Sequence, residues 1–287
     1  MTTKARRFIT RSGFRALGSL AVVAALTAGL AAGGAAAKPE PRAAPRAGSE
    51  DWKWSWTLPA GKVIEIKGVN GSIRAERTTG DQVQVRAWKR ARHSDPASVK
   101  IEFVEHEGGV TVCAVYPGTS RDDPNECAPG ERGHMSTRRN DVEVEFEVLV
   151  PGGVGFTGRT VNGGVEGYVL AGPVEAHTVN GAVVVSTTGP AAATTVNGSI
   201  TVRMGCGPRS DRLEFTTVNG QITIELPDSI DADVRASTVN GTIESELPLM
   251  VQGSFGRHRI EGRLGRGGPG LELETVNGSI RLRRATI

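Results

Sequence analysis

The chain has 287 residues, 38 of them glycine, and a formal net charge of +3. That charge sits at one end: residues 1–37 hold five basic residues and no acid, so residues 38–287 carry 29 basic against 31 acidic groups. This balance excludes an overall electrostatic case for nucleic acid as a partner, and the remaining length suits one repetitive β domain or two compact ones.

In chain order, Lys4, Arg6, Arg7, Arg11 and Arg15 precede an uncharged run from Ala16 to Ala37 whose most apolar part is Leu20 to Leu30. A basic start, a short apolar stretch and the small-residue exit Ala35-Ala36-Ala37 form the layout of a secretory signal. The run is long enough to span a bilayer, but Ala and Gly dominate it, so a cleaved signal is the expectation rather than an anchor, with no stable membrane span after its removal. Residues 38–48, KPEPRAAPRAG, read as an extended linker. Residues 49–287 form the predicted β domain: a less regular part over 49–150 and regular repeats over 151–287.

In the first part, alternation predicts strands over Trp52–Leu58, Val63–Lys67, Ser72–Arg77, Gln82–Trp88, Val99–Val104, Val110–Tyr116 and Val142–Val150. Pro117 to Asn140 is rich in Pro, Gly, Asp and Arg and reads as a long exposed loop. Of the three cysteines, Cys113 closes a strand and Cys127 lies in this loop, where a bridge would tie the loop down. Cys206 is then left over, and the pairing is open from sequence alone. Trp52, Trp54 and Trp56 alternate and so share one face. That face is either a sugar-stacking or membrane-contact strip or an apolar end cap. Leu58 continues the same phase, which favours the cap.

Val-Asn-Gly recurs at Asn70, Asn162, Asn180, Asn197, Asn219, Asn240 and Asn277, with Gly71, Gly163, Gly181, Gly198, Gly220, Gly241 and Gly278 following. The last six copies are preceded by Thr160, Thr178, Thr195, Thr217, Thr238 and Thr275. From Asn162 to Asn240 the spacings are 18, 17, 22 and 21, and the final gap of 37 is long enough to hide a degenerate repeat. Three residues after each Asn the side chain is always β-branched and apolar; six before, it is always apolar; three before, never. Each copy is thus a strand, an Asn-Gly corner and a second strand, and the corner must reset the facing. A positive φ is expected at each Gly, and tolerance of the left-handed region at each Asn. A parallel β-solenoid and an antiparallel hairpin array both satisfy the pattern. In-register stacking better explains why one corner sequence recurs unchanged, so the solenoid is the expected fold. The hairpin array would set Thr216 opposite Thr223, and also Lys67 opposite Arg74, which repel.

Leu58-Pro59-Ala60-Gly61, Val69-Asn70-Gly71-Ser72-Ile73, Val150-Pro151-Gly152-Gly153, the six later corners and the Gly-rich step from Gly262 to Gly270 together resemble a bacterial family of unassigned function named as putative adhesins. The resemblance spans essentially all of residues 49–287. It implies a right-handed parallel β-helix-like fold and brings no catalytic residues.

Candidate sites are sparse. Asp122, Asp123, Glu126, Cys127, Glu131 and His134 show no recognised metal-ligand spacing, so no metal or cofactor is expected. Arg257, His258, Arg259, Arg263 and Arg266 make a basic run that could touch an anionic polymer, or simply a solvated loop. The Asn-Gly-Ser/Thr sequons recur because the corner recurs. Three residues before Asn, the outward column reads Lys67, Arg159, His177, Thr194, Thr216, Ser237 and Glu274. Four after, it reads Arg74, Glu166, Val184, Thr201, Thr223, Glu244 and Arg281. Neither concentrates the acid–base groups that catalysis wants. The expectation is an exported, non-catalytic module, periplasmic or extracellular, contacting an unidentified envelope or surface component, protein or glycan. A polysaccharide-active lyase or glycosidase is the alternative. Protein recovered from the exported fraction should begin within a few residues of Lys38; an intact mass matching a chain that starts at Met1 would identify the apolar run as an anchor.

Overall fold

The computed structural model describes residues 50–118, 124–133, 135–205, 212–251 and 256–285. The expected signal and linker, and Asp122, Asp123, His134 and Cys206, lie outside the described residues. Within them the protein is all-β: two large mixed sheets of ten and eleven strands, one 3₁₀ turn at Pro96–Ser98, and no α-helix. The first-part strands match the sequence pattern closely, for example Glu50–Thr57, Val63–Lys67, Ile73–Arg77 and Glu143–Val150.

Each repeat gives one strand to each sheet. Strands entering the corners form one sheet, here the entry sheet: Val63–Lys67, Gly155–Arg159, Val174–His177, Ala191–Thr194, Leu213–Asn219, Gly270–Asn277 and Ala232–Asn240 lie side by side in that order, all parallel. Strands leaving the corners form the exit sheet in the same order of repeats. Ile73, Val165, Val183, Ile200, Ile222 and Ile280 stack in one row of that sheet and are fully buried. Facing them are the buried entry-sheet residues Ile64, Phe156, Val174, Ala191, Phe215 and Leu271. Thr216 is registered with Thr194 on one side and Glu274 on the other, so the pairing a hairpin array would make with Thr223 is not formed.

The stacking order departs from chain order at both ends. The Asn277 repeat lies between the Asn219 and Asn240 repeats. Among the described residues of the long final gap, the pairs found are two antiparallel strands, Arg259–Leu264 and Leu249–Val251, that cover the end of the entry sheet. At the other end, Gly109–Val115 and Glu143–Val150 add one parallel layer outside the Asn70 repeat. Antiparallel Lys100–His106 and the pair Gln82–Arg90 and Glu50–Thr57 then close it. Trp54 packs against the core and meets Phe103 from the opposite sheet at 5.7 Å, with Trp56 stacked beside it at 6.2 Å. The tryptophans therefore form the end cap.

In the six Thr-Val-Asn-Gly corners, Thr, Asn and Gly each make a side-chain or steric contribution. The Asn side chains form one continuous amide ladder through Asn70, Asn162, Asn180, Asn197, Asn219, Asn277 and Asn240, in which each Nδ2 after the first donates to the Oδ1 of the Asn before it at 2.8–2.9 Å. The buried Thr hydroxyls donate to the corner Gly carbonyl of the neighbouring repeat at 2.8–3.0 Å. The ladder starts against Tyr116, whose buried hydroxyl donates to Val142 O at 2.8 Å and accepts from Asn70 N. Burial pushes that hydroxyl up to about 12.

The expected backbone reason for glycine is corrected at most corners. A left-handed φ occurs only at Gly71 and Gly163 (+122° and +149°), and no Asn among the described residues has one. The other corners need glycine for space. A Cβ on Gly198 would stand 1.9 Å from the Gly181 carbonyl oxygen, and the same contact recurs at Gly181, Gly220, Gly241 and Gly278. Gly198→Ala is therefore expected to destabilise by roughly 1–3 kcal/mol, as overpacking does. Thr201→Val, on an exposed site, should stay within about 0.5 kcal/mol. Thermal melts of the two variants check this, and equal midpoints would refute the close approach.

Candidate functional site

Alternation places residues three and five before each Asn on the same outward face of the entry sheet. Across the first repeats these two rows read Lys67, Arg159, His177, Thr194 and Glu65, Thr157, Glu175, Ala192, each registered with its neighbour. Sequence reasoning followed only the first row. The second row brings Glu65 and Glu175 beside the cations, and the signal was available: Glu65-x-Lys67 and Glu175-x-His177 are i, i+2 pairs, which a strand must show on one face.

Residues 124–133 roof one end of this face. Cys127 is disulfide-bonded to Cys113 on the adjacent layer, with Cα atoms 5.7 Å apart. Under this roof Lys67 Nζ donates to the carbonyls of Ala128 and Arg132. Glu65 accepts from Thr111 Oγ1 at 2.8 Å, Gly130 N at 2.9 Å and Arg159 Nε at 3.0 Å. Both side chains are consequently buried, Glu65 at 6% and Lys67 at 8% exposure. Burial lowers the Lys67 pKa from its ordinary value; Arg159 acts in the same direction and Glu65 opposes. A buried charge requires partners of this kind, and here the roof supplies them.

Beyond the roof the face opens. Arg159 Nη2 stands 3.8 Å from Glu175 Oε2, and His177 Nε2 lies at the same 3.8 Å from that oxygen. Neither separation is a hydrogen bond. His177 Nε2 is enclosed and has no hydrogen-bond partner. The His177 ring and then Arg159 hold the Glu175 carboxyl below its ordinary value, against a partial desolvation. The row continues through Thr194 and Thr216 to Glu274 and Ser237.

The other sequence candidates are dispersed. Arg259, Arg263 and Arg266 are ion-paired with Glu261, Asp233 and Asp231, so the basic run does not present free charge along its length. A cleft of about 300 Å³ near it is lined by both signs, including Arg212, Arg235, Glu261 and Glu272. Among the described residues no group of three or more His, Cys, Asp or Glu stands close enough to hold a metal ion. No helix among them is long and apolar enough to cross a membrane.

No protein-family model and no curated protein matches the sequence. Among solved structures, the chain is similar to a putative cell adhesion protein from Clostridium sporogenes ATCC 15579, at 12% identity and a TM-score of 0.42, covering 82% of this chain and 99% of that one. It is also similar to a putative adhesin from Bacteroides fragilis NCTC 9343, at 12% identity and a TM-score of 0.26, covering 82% and 96%.

The roof's dependence on the disulfide is open to measurement. The bridge closes a short loop, which the chain-entropy account values at about 3 kcal/mol. In Cys127→Ser the Gly130 amide should exchange with solvent much faster, while the Asn197 amide, deep in the stack, keeps its protection. Unchanged exchange at Gly130 would show that the Lys67 and Glu65 bonds hold the roof alone.

Proposed function

We propose that this protein is an exported, non-catalytic parallel β-solenoid that serves as an interaction module of the cell envelope or surface, and that the outward face of the entry sheet is its contact surface. The observation that carries this reading is the in-register stack itself. Seven amide-linked corners hold one outward row from Lys67 to Ser237 in register, so the face is long and preorganised. Its middle presents Thr194 and Thr216, which suit contact rather than chemistry. The Cys113–Cys127 bridge fits an oxidising compartment, as export requires.

A second reading, a polysaccharide lyase or glycosidase, has one observation in its favour: the Glu175 carboxylate beside the His177 ring is the kind of pair that acid–base catalysis uses. The two readings separate experimentally. Purified protein is added to envelope fractions and to a panel of acidic and neutral glycans, and both retention and product formation are followed. The interaction module should be retained without turnover, and Thr194→Val with Thr216→Val, which removes the hydroxyls and keeps strand-compatible side chains, should weaken retention without lowering the melting temperature. Product formation that Glu175→Gln eliminates would establish the enzyme instead. Retention unaffected by the double Val variant would remove the entry-sheet face from the proposal.

A further inference from the structure

We infer that Arg159 and His177 form an acceptor subsite for one acidic group of a glycan, and that the Glu175 carboxylate occupies this place in the free protein. The inference rests on the contact-face reading above and adds the chemistry of the ligand.

Three observations lead to it. The first is an incomplete set of bonds. Elsewhere on the entry-sheet face, carboxylates and guanidinium groups close to 2.8 Å for Arg212–Glu272, 3.2 Å for Arg235–Glu261 and 3.3 Å for Arg263–Asp233. Glu175 instead hovers 3.8 Å from both Arg159 and His177 and bonds neither. The His177 Nε2 is enclosed yet unpaired, an arrangement that costs free energy unless another state satisfies it. Arg159 spends its Nε on Glu65, which leaves its Nη groups available to a closer acceptor.

The second is charge. Around this point Lys67 and Arg159 balance Glu65 and Glu175. Lys67 and Glu65 are fixed under the roof by five hydrogen bonds to Ala128, Arg132, Thr111, Gly130 and Arg159. Glu175 is not held in this way: its side chain is 56% exposed and stands 3.8 Å from either partner. When it swings outward, His177 is uncovered and the local field gains one uncompensated positive charge. An external carboxylate at hydrogen-bond distance would then satisfy both donors, with the geometry that Arg favours for such groups.

The third observation distinguishes the polymer. Past His177 the row offers the Thr194 and Thr216 hydroxyls at the strand spacing of about 4.8 Å, with the small Ala192 and then the exposed Glu214 in the row beside them. A row of hydroxyls matches a polyol. An acidic peptide would look for apolar pockets or an open strand edge, and both neighbours of this row are already paired strands. The roof at residues 124–133 blocks one direction, so the glycan would run from Arg159 over Thr194, its acidic group at Arg159 and away from Glu214.

Oligogalacturonate, its methyl ester, dextran sulfate and a poly-glutamate peptide, titrated by calorimetry, test the subsite. Oligogalacturonate should bind at least about tenfold more tightly than its ester, the loss expected when one charged hydrogen-bonding group is removed. Dextran sulfate binding that requires Arg159 would broaden the acidic group to a sulfate ester and still support the subsite. Glu175→Gln should raise affinity for oligogalacturonate several-fold, because it removes a competing anion, and Arg159→Gln should abolish it. Arg159 also neutralises Glu65, so Arg159→Gln can fail to fold; Glu175→Gln leaves Glu65 untouched and carries the test by itself. Glu244→Gln, on the other sheet, is the control and should change nothing. Unchanged or weaker binding in Glu175→Gln, equal binding of the ester, or equal binding of poly-glutamate overturns the subsite. If the ester binds equally while Thr194→Val with Thr216→Val still weakens it, the contact face survives and only the acidic subsite falls; if no glycan and no envelope material binds, both fall.

Discussion

The structure depends on how closely one corner backbone approaches the next. At Gly198 the neighbouring carbonyl is so near that no Cβ fits, and this closeness brings the Thr217 hydroxyl to the Gly198 carbonyl and the Asn219 amide to Asn197. Each contact is worth on the order of 1 kcal/mol or less net, but they form together or not at all. A one-residue slip of any repeat would break its Asn bond, its Thr bond and the glycine fit at once, and would also turn Ile222 or its equivalents outward. The Val of the corner is different. Val179, Val196 and Val218 are each 37% exposed, and the contribution lies in the backbone: Val196 O accepts the Asn219 N–H at 2.8 Å, and a β-branched residue favours the extended conformation.

A shared corner sequence cannot by itself choose which repeat lies beside which, because all corners are alike. On the exit sheet, charge favours the order found at the C-terminal end. Stacking in chain order, with Ile243 on Ile222, would set Glu246 opposite Glu225. The Asn277 repeat enters between them, and Arg283 is registered with Glu225 while its guanidinium lies 3.9 Å from Glu246. Arg281 pairs with Glu244 in the next row at 3.3 Å. These are exposed pairs, each worth little alone. Their effect is on the difference between the two orders of the exit sheet; on the entry sheet the observed order registers Glu214 with Glu272, and Arg212 closes on Glu272 at 2.8 Å. The antiparallel strands beyond Asn240 then cover an edge that would otherwise template another chain.

The period, the strand pairs around each Asn and the inward apolar rows were legible in the sequence, because strand alternation and an invariant corner leave few choices. The reason for glycine was misjudged: Asn-Gly suggests a left-handed turn, yet only Gly71 and Gly163 have a positive φ, and close backbone approach is invisible until neighbours are known. Stacking order was also illegible. A gap of 37 residues fits a degenerate repeat as well as it fits the antiparallel pair found there. At the candidate site, Lys67, Arg159 and His177 were aligned correctly. Glu65 and Glu175 were passed over because the row five before Asn was not followed, and Gly130 could not be foreseen, since only the fold of the 124–133 segment brings its amide to Glu65.

Stability does not account for the charged cluster. Burying Glu65 and Lys67 under a roof is weak support for a fold, because desolvation offsets most of what the pairing returns. A Thr at either position, as at Thr157 and Thr194, would stack in the same row without that cost. The cluster sits at one end of the face, where the layer from Gly109 to Val115 supplies Thr111 and Cys113 and the disulfide brings the roof down. The next repeats carry the same backbone with Thr194, Ala192 and Thr216 on this face, and the exposed Glu214 beside Thr216. One uniform backbone thus carries two kinds of surface: a fixed charged end that orients Arg159, and a hydroxyl row leading away from it. Fixing Glu65 from three sides also fixes Arg159, because its Nε is one of the three donors, so the guanidinium edge facing Glu175 is held in place before any ligand arrives.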